Sequence, residues 1–386
     1  MRVTQSMLMN SSLRNTSQSY QQLHKLQNQL STGKKISRAS QDPVVAMNGM
    51  RYRTQVTEVE QFKRNLSEVH NWMDNADATL DETTSALERI RELTVQASND
   101  TYEESQRENI AKEVKQLREH LESLANTKSN NKFIFNGTDT RNEPVQGDLI
   151  DVGLGSEGFQ NWAAGEDTQH SYHMTHHGER FELVSEFGEE PAVFENEANE
   201  QIVLNDFPND PSIEKRWMDT NADGEEVERT ETLKERQIVI SADEGVSTNK
   251  NNVEIELLKG VNIPVNIDPD NVFSSDFFGD LIQLEKALED PSTEASELTK
   301  FIDSVDHQAE KVVNERAELG ARQNRVEMIE DRIMEQEVIS KRILSDNEDA
   351  EMEKVISELL SQENVHRAAL ASSARILQPS LIDFLR

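Results

Sequence analysis

The sequence predicts a mainly α protein: a long antiparallel helical bundle or coiled coil built from both chain ends, with a β-rich insert domain in the middle. Three observations carry this reading. Apolar residues recur every seven positions through the first third of the chain. A helical seam of the same kind returns in the last third. Between about residues 138 and 270 the helical period is lost, and Gly, Asp, Asn and Glu become frequent.

The first helix runs from about residue 5 to Thr32. Leu13, Thr16, Tyr20, Leu23, Gln27 and Leu30 step by three and four, and Leu26 widens the stripe. Gly33 stands where a glycine closes a helix, followed by Lys34 and Lys35. The second helix opens at Asp42-Pro43. The Asp42 carboxylate suits an N-cap, and Pro43 lacks only an N–H that the first turn does not use. Val59, Leu66, Met73, Leu80, Leu87 and Thr94 then repeat every seven residues, and Phe62, Val69, Ala76, Thr83, Ile90 and Ala97 repeat with an offset of three. That is an a/d heptad seam, and at 1.5 Å per residue the helix would run roughly 80 Å.

The stretch "SNDTYEES" (98–105) breaks the pattern and can cap a third helix, whose stripe is Ile110, Val114, Leu117, Leu121 and Leu124. A short connection between long helices implies an antiparallel pair. "FIFNGTDT" reads as a short strand and turn. In the middle, "FELVSEF", "PAVFE", "QIVLNDF", "RQIVISA", "NVEIELL" and "VNIPVNI" read as short strands. Helix returns with "FGDLIQLEKALED", stops at Pro291 and restarts near 292–294. Ile302, Val305, Ala309, Val312, Leu319, Val326 and Ile333 mark the last long seam, which Arg316 and Gln323 interrupt. "SDNEDAEME" reads as a joint before a final helix carrying Val355, Leu359, Val365, Ala369, Leu370, Ser373 and Leu377. The expected organisation is nested: 1–42 with 345–386, 43–137 with 271–344, and the insert 138–270.

Composition narrows the function. The chain carries 73 Asp+Glu against 40 Lys+Arg, a net charge of −33. Such a balance opposes nucleic acid as the main partner, because phosphate-backbone binding needs a positive footprint. With 35% hydrophobic and 5% aromatic residues, long helices sharing a narrow seam are easier to build than a large globular core. There are no cysteines, which removes disulfides, thiolate metal sites and cysteine nucleophiles. The beginning of the chain has no continuous apolar core of a secretory signal peptide, and no run reaches the roughly 18 apolar residues of a membrane span.

Candidate chemistry is sparse, and no cofactor is expected. His170, His173, His176 and His177 crowd into "HSYHMTHH", a spacing that can ligate a transition metal, but no surrounding pattern fixes a catalytic arrangement. The stretch reads as a solvated loop. "DTNADGEEVERTE" begins like a calcium loop, with Asp219, Asn221, Asp223 and Gly224 in step, but its twelfth position is Thr230 where a bidentate glutamate belongs. It reads as a turn. "LSTGKKISRASQDP" (30–43) is no phosphate-binding loop, since the required glycine and lysine spacing is absent.

That same stretch resembles the N-terminal signature of the bacterial flagellin superfamily, as does "ALERIRELTVQASNDT". "ERAELGARQNRVE" resembles the family's C-terminal inner helix. The resemblance covers roughly 1–140 and 270–386. Within the superfamily, "SLANTKSNNKFIFNGTDTRNEPV", "QDPVVAM" and "LQPSLIDFLR" look more like the hook-associated protein 3 branch than like flagellin. The resemblance implies a structural subunit, not an enzyme. It would form a ring at the hook–filament junction outside the cell, beside hook-associated protein 1 and flagellin or other filament-side subunits. It would be exported unfolded by the flagellar type III route, without a cleaved signal, with a cytoplasmic chaperone on its C-terminal region.

An isolated one-faced helix is marginal in water, so both chain ends should find partners on assembly. Val3, Met7, Leu13, Tyr20 and Leu23 at one end, and Leu377, Leu381, Ile382, Phe384 and Leu385 at the other, are the expected assembly interface. Gly33, Arg38, Asp42 and Pro43 mark the joint, whose basic residues are placed to meet carboxylates in the same chain or a neighbour. Two rivals stay open: a flagellin, which would form the filament itself, and a non-flagellar coiled-coil scaffold, which would explain the heptads but not the β-rich middle.

Overall fold

Asp42 accepts hydrogen bonds from the backbone N–H groups of Val44 (3.0 Å) and Val45 (3.1 Å), and the helix that it caps runs without interruption to Ala97. The computed structural model describes residues 5–99, 104–163, 165, 170–185, 191–205, 212–220 and 226–377. In chain order the elements are helices α1 (Gln5–Thr32), α2 (Pro43–Ala97) and α3 (Glu104–Ala125); strands β1 (Lys128–Ser129) and β2 (Lys132–Phe133); α4 (Glu157–Ala163); strands β3 (Tyr172–His176), β4 (Glu179–Leu183), β5 (Ala192–Glu195), β6 (Gln201–Asn205), β7 (Ser212–Thr220), β8 (Glu226–Leu233), β9 (Val239–Ala242), β10 (Glu254–Leu258) and β11 (Val261–Pro264); then α5 (Pro269–Val272), α6 (Ser275–Glu289), α7 (Ala295–Glu348) and α8 (Met352–Leu377). The chain divides into two compact units, Met1–Arg64 with Glu330–Arg386, and Asn65–Ile329.

In the first unit α1 and α8 lie antiparallel, since Ser12 meets Ser373 while Ser19 meets Gln362. The beginning of α2 and the end of α7 pair beside Val59 and Ile333, both buried, and Lys63 meets Glu337 at 3.0 Å.

In the second unit the heptad seam is the core of the helical part. Leu66, Val69, Met73, Ala76, Leu80, Thr83, Leu87, Ile90, Thr94 and Ala97 are all buried. Phe62, the one half-buried seam position, falls before this unit begins. Thr83 and Thr94 tolerate burial because each hydroxyl donates to the carbonyl four residues back, at 2.8 Å. On α7, Val305, Val312, Leu319 and Val326 are buried. Arg316, a polar interruption of that seam, pairs with Asp77 (2.8 Å) and Asp81 (2.5 Å) of α2. On α3, Ile110, Ala111, Val114 and Leu121 are buried, and Arg118 reaches Glu285 of α6 at 3.2 Å.

The insert is a seven-stranded antiparallel sheet in the order β8-β7-β6-β5-β4-β3-β9, with β10 and β11 as a separate hairpin. Met174, Phe181, Phe194, Ile202, Leu204 and Ile240 form its core with Phe159 and Trp162 of α4. Gln283 of α6 donates to the Thr175 carbonyl at 2.7 Å. Gly279 makes this approach work: a Cβ there would lie 2.4 Å from the Thr175 hydroxyl oxygen.

Two sequence readings are corrected here. "HSYHMTHH" is not a solvated loop: Tyr172–His176 is strand β3, buried at every residue, between β4 and β9. A strand covered on both faces shows no alternation, and each of its histidines finds a partner for Nδ1. "DTNADGEEVERTE" is not simply a turn. Its first two residues end β7, and Glu226 onward forms β8, in register with β7 from Thr220↔Glu226 to Ile213↔Leu233. Outer strands with wet faces carry few apolar residues, so they lack a strand signature.

Candidate assembly surface and charged joint

The side of α1 that carries Ser12, Thr16 and Ser19 faces α8, and the half-buried Leu23, Leu26 and Leu30 continue that side. Ser12 and Ser373 hydroxyls are 2.5 Å apart, Thr16 is 3.4 Å from Ser373, and the Gln362 amide donates to the buried Ser19 hydroxyl at 3.1 Å. Other apolar residues of α1 face water. Met7 is 66% exposed, and Leu13 and Tyr20 are 59% exposed. Leu23 is half-buried. On α8, Ile356, Leu360, Val365 and Leu370 are exposed in turn, while Val355 is buried. The sequence stripe on α8 thus divides between two faces of the helix. Val3, Leu381, Ile382, Phe384 and Leu385 lie outside the described residues, and Leu377 is the last residue of α8.

The joint is built where α1 ends, α2 begins and α7 passes to α8. Gly33 adopts φ 67°, which a side chain would resist, and its N–H closes α1 on the Gln29 carbonyl at 2.9 Å. A single bridge follows: Lys34 pairs with Asp349, Lys35 N–H donates to the Glu348 carbonyl (2.7 Å), and Ala350 N–H donates to the Gly33 carbonyl (2.8 Å). Glu348 is buried, with a side chain 7% exposed, and Arg53 grips it with two nitrogens at 2.8 Å. Lys34 adds contacts at 3.5 Å to Glu348 and 2.7 Å to Asp349. The hydrogen bond to Asp349 raises the Lys34 pKa, and Lys34 in turn lowers that of Asp349.

A cleft of about 230 Å³ opens beside these ion pairs, lined by Ile36, Arg38, Val45, Met50 and Arg53 among others. Arg38 sits at this cleft with Met50, exposed and without an ion pair among the described residues, and Val44, Met47 and Met50 at the start of α2 are each about 60% exposed. So Lys34 meets carboxylates of its own chain, and Arg38 does not. Sequence reasoning missed Arg53 and Glu348, because the two are separated by 295 positions and neither breaks a local pattern.

The histidines are held separately. His173 Nδ1 lies 2.7 Å from Asp243, which also receives Arg180 at 2.8 Å. His176 donates from Nδ1 to the Gln237 carbonyl at 2.7 Å, and burial lowers its pKa to about 3, so it is neutral at physiological pH. His177 turns at φ 49° with its ring against His176 and Phe301, and burial lowers its pKa as well. His170 precedes the strand and is half-buried. Among the described residues no three His, Asp or Glu groups are placed to hold a metal ion. Asp219 pairs with Arg229 across the β7–β8 hairpin at 2.7 Å, and Thr230 lies within β8 opposite Arg216. Asn221 and Asp223 lie outside the described residues.

Residues 3–140 match the bacterial flagellin N-terminal helical region. A flagellin of Clostridium tyrobutyricum is 32% identical over 125 residues, 32% of this chain and 33% of that protein. The flagellar hook-associated protein 3 of Escherichia coli is 28% identical over 145 residues, 37% of this chain and 46% of its own. The chain thus spans between a third and about half of the length of these relatives. A solved structure of a candidate flagellar hook-associated protein from Vibrio parahaemolyticus shares the fold, with a TM-score of 0.51 over 80% of this chain and 100% of that one at 14% identity. No described helix is long and apolar enough to cross a membrane.

Proposed function

We propose that the protein is a structural, non-catalytic subunit of the bacterial flagellum that forms the junction ring between hook and filament and serves as a platform for flagellin. The observation that carries this reading is the α1–α8 pair, whose polar seam is satisfied within the chain while Met7, Leu13, Tyr20, Leu360, Val365 and Leu370 remain exposed. Large apolar side chains exposed on both paired helices of a strongly acidic chain are explained by burial against other copies. In this reading residues 1–42 and 345–386 form the assembly segment, and Arg38 with Val44, Met47 and Met50 meets a neighbouring subunit. The partners are further copies of the chain, hook-associated protein 1 and filament-side subunits. Export follows the flagellar type III route with a chaperone on the C-terminal region.

The second reading is a filament subunit, favoured by the higher identity to a flagellin than to a hook-associated protein 3. Gold-labelled antibody separates them. Label at one band between hook and filament is expected; label along the shaft overturns the junction role. A deletion strain should carry hooks without filaments and release flagellin to the medium.

A further inference from the structure

Buried polar atoms without a hydrogen-bond partner concentrate where α6 rests on β3. Asp276 Oδ1, Asp280 Oδ1, Thr175 Oγ1 and His173 Nε2 are all of this kind. Asp280 is 3% exposed, Thr175 0% and His173 1%. Asp276 and Asp280 stand one turn apart on α6, on the same side of the helix. Neither carboxylate has an ion-pair partner among the described residues.

The surroundings supply few donors. Gln308 of α7 donates to Asp280 Oδ2 at 3.2 Å, and the backbone of Gly178, in the β3–β4 turn, hydrogen-bonds the same carboxyl group. Lys311 of α7 acts on both carboxyls from a distance. His173 and Arg180 face Asp276, but both are already engaged by Asp243, and Asp270 adds a further negative charge on that side. Two carboxylates one turn apart, Asp280 buried and Asp276 half-buried, repel if both are ionised. An orphaned buried acceptor is costly unless a donor reaches it. A proton on the Asp280 carboxyl removes the charge, and with it most of the cost of burying the group.

We propose that the Asp276–Asp280 pair is a proton-operated latch between helix α6 and the insert sheet: the seam is closed when Asp280 is protonated and loosens when it ionises. Burial supports this, raising the Asp280 pKa to about 7 and that of Asp276 upward from its ordinary value. For an acid whose folded-state pKa is raised, the native state holds the proton more tightly than the unfolded chain. Its stabilising contribution is complete below about pH 4, declines as pH rises towards 7, and is lost above that.

The test is hydrogen exchange on the full chain at several pH values between 5 and 8.5, read as protection factors in β3 and α6, for the wild type and Asp280→Asn. Asparagine keeps an acceptor for Gln308 and Gly178 and cannot ionise. Wild-type protection is expected to fall with rising pH by tenfold or more relative to the variant, which stays flat. Carboxyl ¹³C titration of the wild type covers the case in which the variant does not fold, and there Asp280 should titrate near neutrality. Equal pH dependence in both proteins, or ordinary titration of both carboxyls near pH 4, overturns the proposal.

Discussion

Glu348 illustrates what a single buried carboxylate does in this chain. It lies in the joint under Gly49, where a Cβ would come within 2.6 Å of its Oε1, and it is held by two cations whose own side chains are 43% and 64% exposed. Glu348→Ala should lower stability by about 1–2 kcal/mol, less than the 3–5 of a fully buried pair because water screens both cations. Urea unfolding of the purified protein measures it. Asp349 follows the opposite pH rule from Asp280. Its folded pKa is depressed, so what it contributes is present above the ordinary carboxylate range and lost as pH falls through the folded value. Arg38→Glu should leave monomer stability within about 0.5 kcal/mol, since it holds no ion pair in the chain, yet weaken self-association. Unchanged sedimentation of the assembled species would remove Arg38 from the interface. At the joint, sequence alone marked Gly33, Arg38, Asp42 and Pro43, and left Glu348 unmarked, because its partners come from the other end of the chain.

At the scale of elements, α6 against β3 is the most tightly constrained contact. Gly279→Ala places a methyl group 2.4 Å from Thr175 Oγ1 and 3.1 Å from its Cβ. The variant should lose about 1–3 kcal/mol by overpacking. Thr175→Ala in the same chain should restore most of that, because the removed hydroxyl has no partner. A double-mutant cycle by thermal unfolding reads the coupling. Asp42→Ala should cost about 1 kcal/mol through loss of the α2 cap, with fraying confined to the first turn in hydrogen exchange. The long helices were legible because a seven-residue repeat is a local, redundant signal. Strands β3, β7 and β8 were not. β3 is buried at every residue, while β7 and β8 are half-buried or exposed along most of their described length, so none of the three shows the period-two alternation by which a half-buried strand is recognised.

For the whole molecule, the net charge of −33 sets a condition on assembly. Copies repel one another, and raising ionic strength from about 0.01 M to about 0.15 M shortens the screening length from about 30 Å to about 8 Å. Self-association should therefore speed up with salt, followed by light scattering, while Leu13→Ser with Tyr20→Ser leaves a folded monomer that associates poorly at any salt. Rapid assembly of the double variant would show that the exposed side of α1 is not the contact.

By itself the sequence determined the helical ends, the period of their seam, the caps of α2 and the closing glycine of α1, because each depends on residues within a few positions of one another. It also carried the family signatures. Only the tertiary structure decided that His173 and His176 lie in a buried strand, that Glu348 is clamped by Arg53 and Lys34, that Ser12, Thr16 and Ser19 of α1 face α8, and that the Asp280 carboxyl of α6 is buried without an ion pair among the described residues. Those outcomes rest on contacts between residues far apart in the chain, and a contact of that kind leaves no trace in local periodicity.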